Sequence, residues 1–391
     1  MNRSEGSMLR RLSRCGLTAV LVAGSLLSGC SATRQTTIEP TPSFVFRSLD
    51  LSQRRNDGDR DWDLTSPEAR YDLGSRTIRA QRPEGILYSN DQPNYRVTAD
   101  LATVLRDGEL VVLEGSVQLR QLNQRGITIE GDNLIWTPSK SQMVINQRPL
   151  ASDGQTQIRA RELTFQQDTE QLVFSGPTQL NRRDDDKDDS SDSTVVRGGS
   201  GTWNLKSGLM QSPGPVEAVR SDGRKLNASG LNGNTRDGFL DLQAPVTLLL
   251  ENDRGTITAG RTRWLFSTQQ LQSDQPVQAD LKHSQVQGKG FKLDERSGTV
   301  IIPSDCRLQQ KNETLSAQRC SWNWRRELVV ADGDVVLRRK KPEQITKASR
   351  MEAKISDDGE IRFGQSGARV ESTIKLNPAT QEKRRRPQVS F

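Results

Sequence analysis

Residues 127–136 read Ile127-Thr128-Ile129-Glu130-Gly131-Asp132-Asn133-Leu134-Ile135-Trp136. Apolar or small residues stand at Ile129, Gly131, Leu134 and Trp136, so the spacing is two steps of two separated by a step of three. Steps of two keep side chains on one face of a β-strand. A step of three moves the next side chain to the other face unless a bulge restores it. Helical spacing would instead give offsets near three and four. The stretch therefore predicts a strand with an irregularity at its middle.

The same code recurs ten times, from Leu64-Ser66-Ala69-Tyr71 and Val97-Ala99-Ala102-Val104 through Val196-Gly198-Gly201-Trp203 to Thr346-Ala348-Met351-Ala353. Its second position is always Ser, Ala or Gly, which marks a close approach by the opposite sheet or by a guest. Copies lie about 30 residues apart, a period typical of stacked repeats. Between them run plainer alternations, such as Leu240-Leu242-Ala244-Val246-Leu248-Leu250 and Val329-Ala331-Gly333-Val335-Leu337. Polar turns such as 232–238 and 294–298 join the two kinds of segment. Each unit is thus two strands and two turns. One unit cannot bury its apolar face alone, but a stack of units can. The predicted architecture is all-β and elongated, with stacked strand pairs over residues 44–377.

Apolar residues make up 32% of the chain, too few for a thick globular core and enough for a thin double sheet. The net charge of +7 suits an anionic partner or surface. Nucleic acid is not expected, because the aromatic residues follow the apolar code instead of lying among the basic ones. An acidic insert at 184–192 lengthens one interval, and a basic tail occupies 378–391.

The N-terminus carries Arg3, Arg10, Arg11 and Arg14, then a short apolar run to Leu27. The run is short for a membrane span and reads as a secretory signal over 1–29. It ends Leu27-Ser28-Gly29-Cys30, which resembles the bacterial lipobox. That implies cleavage before Cys30 and acylation of its thiol, followed by a polar tether over 30–43. The alternative is an uncleaved anchor segment. With Cys15 and Cys30 assigned to the leader and anchor, Cys306 and Cys320 remain as a pair in an oxidising compartment. A turn centred near Asn312 and Glu313 would set them across a hairpin as a possible disulfide.

No catalytic signature emerges. His283 is the single histidine, in a polar turn-like stretch. No metal-ligand spacing, P-loop, dinucleotide fingerprint or serine elbow is present. The acidic insert lacks the spacing of a calcium loop, and nothing singles out a carboxylate pair for glycoside chemistry. A non-enzyme without cofactor or metal is expected.

The start of the array is the most distinctive part. Phe44 to Leu51, a turn at Asp57-Gly58, and Trp62-Asp63-Leu64-Thr65-Ser66 with Ala69 and Tyr71 form an opening hairpin. Ile78 to Leu87, Val97-Thr98-Ala99 and Leu110 to Leu119, with its Glu114-Gly115-Ser116-Val117 step, continue it. This pattern resembles the lipopolysaccharide-transport periplasmic proteins of the LptC and LptA group, with an LptC-like start and LptA-like later units. The resemblance implies a β-jellyroll of two facing sheets with acyl chains held between them. It implies lipopolysaccharide or a related glycolipid as cargo, an inner-membrane ABC transporter as partner, and an LptA-like bridge protein joined by end-to-end sheet contact. It also implies a periplasmic location, here with a lipid anchor to a membrane, the inner one favoured over the outer. Two departures stand out: the array is about twice the usual LptC length, and a lipobox replaces a transmembrane helix. The bulky code residues Tyr71, Val104, Trp136, Phe165, Trp203, Trp264, Leu293 and Trp322 become the lipid-groove candidates. The competing expectations are a structural envelope lipoprotein with no cargo and a carbohydrate-active β-helix enzyme.

Replacing the lipobox cysteine tests the anchor. Cys30→Ala should accumulate as an unprocessed precursor that incorporates no labelled fatty acid. Persistent acyl labelling of that variant would show the assignment to be wrong.

Overall fold

The computed structural model describes residues 43–375 apart from 56, 123–125, 183–193, 221–222, 251–254, 283, 342, 355–360 and 365–369. Cys30, the 1–29 segment, the tether up to residue 42, the acidic insert, His283 and the basic tail lie outside the described residues. Residues 41–391 form one unit. Among the described residues the regular structure is β throughout, save two short 3-10 turns at Arg106–Gly108 and Pro138–Lys140.

Every strand pairing is antiparallel, and the pairings resolve into two ladders. Sheet I runs from Ser43–Phe46 through Glu68–Asp72, Thr77–Gln81 and Leu101–Leu105 to Glu343–Lys354 and Ile361–Phe363. Sheet II runs from Leu49–Arg54 through Arg60–Ser66, Glu84–Ser89 and Gln92–Thr98 to Glu343–Lys354 and Glu371–Lys375. Long strands such as Leu110–Gln121, Thr128–Thr137 and Leu328–Lys340 belong to both, one half in each sheet. The inner faces of both sheets contribute to a single apolar cluster. The result is an elongated β-jellyroll of stacked strand pairs with two facing sheets.

The step of three in the code is where the chain leaves one sheet for the other. Ile129 and Gly131 pair within sheet II, and Leu134 and Trp136 pair within sheet I, with the register broken between Gly131 and Asn133. The bulge expected from sequence is present there. In most other units the strand ends and a new one begins: Leu226 lies in Lys225–Ala228 of sheet II, whereas Leu231 lies in Leu231–Asn234 of sheet I. The returning segments bend likewise. The alternation from Leu240 to Leu250 is two strands, Phe239–Leu242 and Val246–Leu249, one in each sheet.

The small second position follows from this corner. A Cβ added to Gly131 would meet the Ile145 side chain and the Gln147 carbonyl, and one on Gly288 would meet Ile302 and Ser304. The close neighbour is the next strand of the same array. Where Ser66 fills the position, its hydroxyl lies 2.6 Å from the Gln81 carbonyl and 2.7 Å from the Glu68 carbonyl, and its one proton serves either. Thr178 serves the Gly199 carbonyl at 2.6 Å in the same way. Such bonds satisfy backbone groups that the sheet change removes from the ladders. On the return strand the Glu114-Gly115-Ser116 step makes the corner, with Gly115 at φ +72°, where an added Cβ would meet the Asp100 side chain.

The outer turns of sheet I share a device that the code does not reveal. The Asn204, Asn234 and Asn323 side chains accept backbone N–H bonds from Ser207, Arg236 and Arg326, at 2.8–2.9 Å. Asn234 and Asn323 also donate to the carbonyls of Ser207 and Ser297 in the preceding turns. Asp294 caps its turn through the Ser297 N–H, which holds its carboxyl below the ordinary range.

Cys306 and Cys320 form a disulfide, with Cα atoms 5.9 Å apart. They are not partners across a hairpin. Cys306 faces Ala317 in sheet II, and Cys320 lies beyond the corner in sheet I opposite Ile302. The hairpin estimate placed the turn slightly too late and took no account of the change of sheet. The bond therefore staples the two sheets at their shared corner.

The corner predicts a steric effect. Gly131→Val should destabilise the array by about 1–3 kcal/mol, as overpacking does. Gly199→Ala meets open space and should leave stability nearly unchanged. Denaturant unfolding compares the two, and equal midpoints would contradict the packing account.

Candidate functional site

The interior between the sheets changes character along its length. It is filled along sheet II from Trp62 to Arg220 and along sheet I as far as Leu293, and side chains of sheet II reach across to sheet I. The rings of Trp62 and Trp136 meet edge to face at 5.2 Å, and those of Tyr95 and Phe165 at 5.4 Å. Such pairs add about 0.5–1.5 kcal/mol each beyond area burial. Gln121 reaches Glu170 at 3.4 Å. Arg182 lies 4.2 Å from the Phe266 ring centroid while donating to the Thr156 hydroxyl at 2.9 Å.

The last of these crossings is ionic. Glu295 follows strand Ser284–Asp294 of sheet I and is 7% exposed. It pairs with Arg220, which ends strand Val216–Arg220 of sheet II, and with Arg224 at 3.8 Å. Both arginine side chains are largely buried. Two cations around one carboxylate away from water form a tight electrostatic knot, because low local dielectric strengthens their attraction.

In every crossing, the sheet I partner comes later in the chain than the sheet II partner: Trp136 after Trp62, Phe165 after Tyr95, Phe266 after Arg182, Glu295 after Arg220. The sheets are therefore skewed. At the C-terminal end, sheet II has no later strand of sheet I among the described residues to cover its inner face. A cavity of about 600 Å³ opens there. Ile257, Ala279, Leu281, Val286, Leu308 and Leu315 line it from sheet II, and Val300, Trp322, Trp324, Val329, Met351 and Ile361 from sheet I. The Cys306–Cys320 bridge lies in its wall. Exposed Lys282, Gln310, Glu327 and Lys354 border it. The volume lies within the range of about 300–1,000 Å³ usual for single-ligand sites.

The structure distributes the eight bulky candidates unevenly. Val104, Trp136, Phe165, Trp203 and Leu293 are buried in the filled stretch. Tyr71 and Trp264 are half-buried outside the cavity, and Trp322 is half-buried within its lining. Arg182, Arg220, Arg224, Glu295 and Trp324 were not singled out by sequence. Among the described residues no group of His, Cys, Asp or Glu is placed to hold a metal ion. No helix of the described residues is long and apolar enough to cross a membrane.

The site is thus a skewed double sheet with an apolar cavity at one end. Comparison with known proteins supplies the relationship. Residues 16–176 match the family described as lipopolysaccharide-assembly, LptC-related. Among solved structures it is similar to LptH of Pseudomonas aeruginosa, described as the LptA homologous periplasmic component of the conserved lipopolysaccharide transport device. The identity is 11%, covering 33% of this chain and 96% of that one, with a TM-score of 0.29. No curated protein sequence matches the chain.

The ionic crossing predicts a large stability effect. Glu295→Ala removes a buried carboxylate shared by two largely buried guanidinium groups and should cost about 3–5 kcal/mol. Chemical denaturation measures it, and a loss near that of an exposed ion pair, below about 1 kcal/mol, would contradict the burial described.

Proposed function

We propose that this chain is a non-catalytic lipopolysaccharide-binding and transfer protein of the periplasm. The observation that carries the reading is the apolar cavity between the sheets, in a chain whose residues 16–176 match a lipopolysaccharide-assembly family. An acyl chain of about a dozen carbons costs on the order of 10 kcal/mol to expose, at about 0.8 kcal/mol per methylene. A lipid crossing an aqueous space needs a dry wall on most sides, and the two inner faces supply one. The lipid's polar head would stay at the exposed border, beside Lys282 and Lys354.

The rest of the reading concerns attachment and partners. Cys30 would carry the lipid anchor, and the 30–43 segment would tether the array to a membrane, the inner one favoured. The donor would be an inner-membrane ABC transporter. Sheet ends offer free backbone for joining an LptA-like bridge protein. Among the described residues Ser43–Phe46 pairs on one side only, and its Phe44, Val45 and Phe46 are exposed. Glu371–Lys375 is the corresponding edge of sheet II. A scaffold without cargo is the second reading, favoured by the filled interior between Trp62 of sheet II and Leu293 of sheet I.

Mass spectrometry of protein purified from the envelope decides between them. Recovered glycolipid in stable proportion to protein is the expected result. Protein free of any glycolipid after gentle extraction would support the scaffold.

A further inference from the structure

We infer that the buried Arg220–Glu295–Arg224 cluster is a bulkhead. It divides the interior into a permanently packed stretch and a terminal chamber, and only the chamber takes the acyl chains of an amphiphile. The inference rests on the lipid-binding reading above and narrows it to one site with one open end.

Three observations converge on this boundary. On sheet I the cavity lining begins at Val300, on the strand that follows Glu295. Phe291 and Leu293, just before that strand, are buried; Val300 on it and Trp322 and Trp324 beyond it are only partly covered, beside buried Ile302, Cys320 and Val329 in the same wall. At the boundary itself, the three charged side chains span from sheet to sheet with little exposure. An apolar chain sliding past would have to separate the carboxylate from both guanidinium groups and leave charges facing methylenes, which is strongly unfavourable.

Arg182 repeats the arrangement deeper in. It is 9% exposed and lies over Phe266, so a chain that passed Glu295 would meet a second buried cation. Beyond it, Trp203, Phe165, Tyr95 and Trp136 leave the interior occupied by the protein's own side chains. The packed units then act as a rigid spacer that carries the chamber away from the chain's N-terminal end. Cargo enters and leaves through the C-terminal part alone.

The tryptophans report the boundary directly. Of the six, Trp62, Trp136, Trp203 and Trp264 lie on the packed side and Trp322 and Trp324 line the chamber. Stearate brominated at mid-chain quenches indole emission on contact. Added to the purified full chain, it should quench part of the fluorescence, with binding followed separately by equilibrium dialysis of labelled stearate. Compared at equal bound stearate, as dialysis measures it, the double variant Trp322→Phe/Trp324→Phe should lose nearly all quenching. Trp203→Phe and Trp264→Phe, made separately, should leave the quenched emission unchanged. Quenching that survives the double variant, or falls in Trp203→Phe, would overturn the bulkhead while leaving lipid binding intact. Absence of binding to the unmodified chain would overturn both the bulkhead and the lipid reading.

Discussion

Each sheet of this molecule has one apolar face and no partner for it but the other sheet. That mutual burial is the constraint on which the remaining features depend. It requires the chain to visit both sheets in every repeat, so each strand must turn a corner. The corner requires a small residue, because the next strand passes within contact distance, as at Gly131 and Gly288. It also removes carbonyls from the ladders, which Ser66 and Thr178 recover through their hydroxyls. A single geometric need thus explains the offset, the small position and the hydroxyl-bearing residues.

The skew between the sheets turns this uniform fold into a molecule with two distinct ends. Where the inner faces overlap, aromatic pairs, Arg182 and the Glu295 cluster close the space. Where sheet II runs past its cover, the apolar lining is left open. Cross-sheet contacts cannot hold that region, and a covalent link between the sheets lies in its wall instead. The bond fixes the corner from which both sheets diverge while leaving the space between them free. Opening and stapling occur in the same units, so the cavity's walls are joined without being filled.

The strand character, the repeat and the inward direction of Trp136, Phe165 and Trp203 were legible in the sequence, because they depend on local periodicity. So was the small position, although its neighbour was not. The sheet change was read as a bulge, since spacing alone cannot distinguish a strand that bends from one that ends. Cys306 and Cys320 were misplaced by the same ambiguity: a corner between them shifts each residue's partner. Glu295, Arg220 and Arg224 were invisible for a different reason. Their burial comes from pairing across the skewed sheets, between residues distant in the chain, and a single sequence carries no record of that skew. In composition they look like any solvated charges.

Amide hydrogen exchange with and without a long-chain lipid addresses the central claim most directly, namely that the guest space is confined to the skewed end. Lipid should slow exchange in the strands that line the chamber, Thr299–Ile302, Ser304–Gln309, Glu313–Ala317 and Arg319–Asn323. Strands from Arg60–Ser66 to Phe239–Leu242 should be protected already and unchanged. Lipid-dependent protection spread evenly along the array, or absent from the chamber strands, would contradict the account.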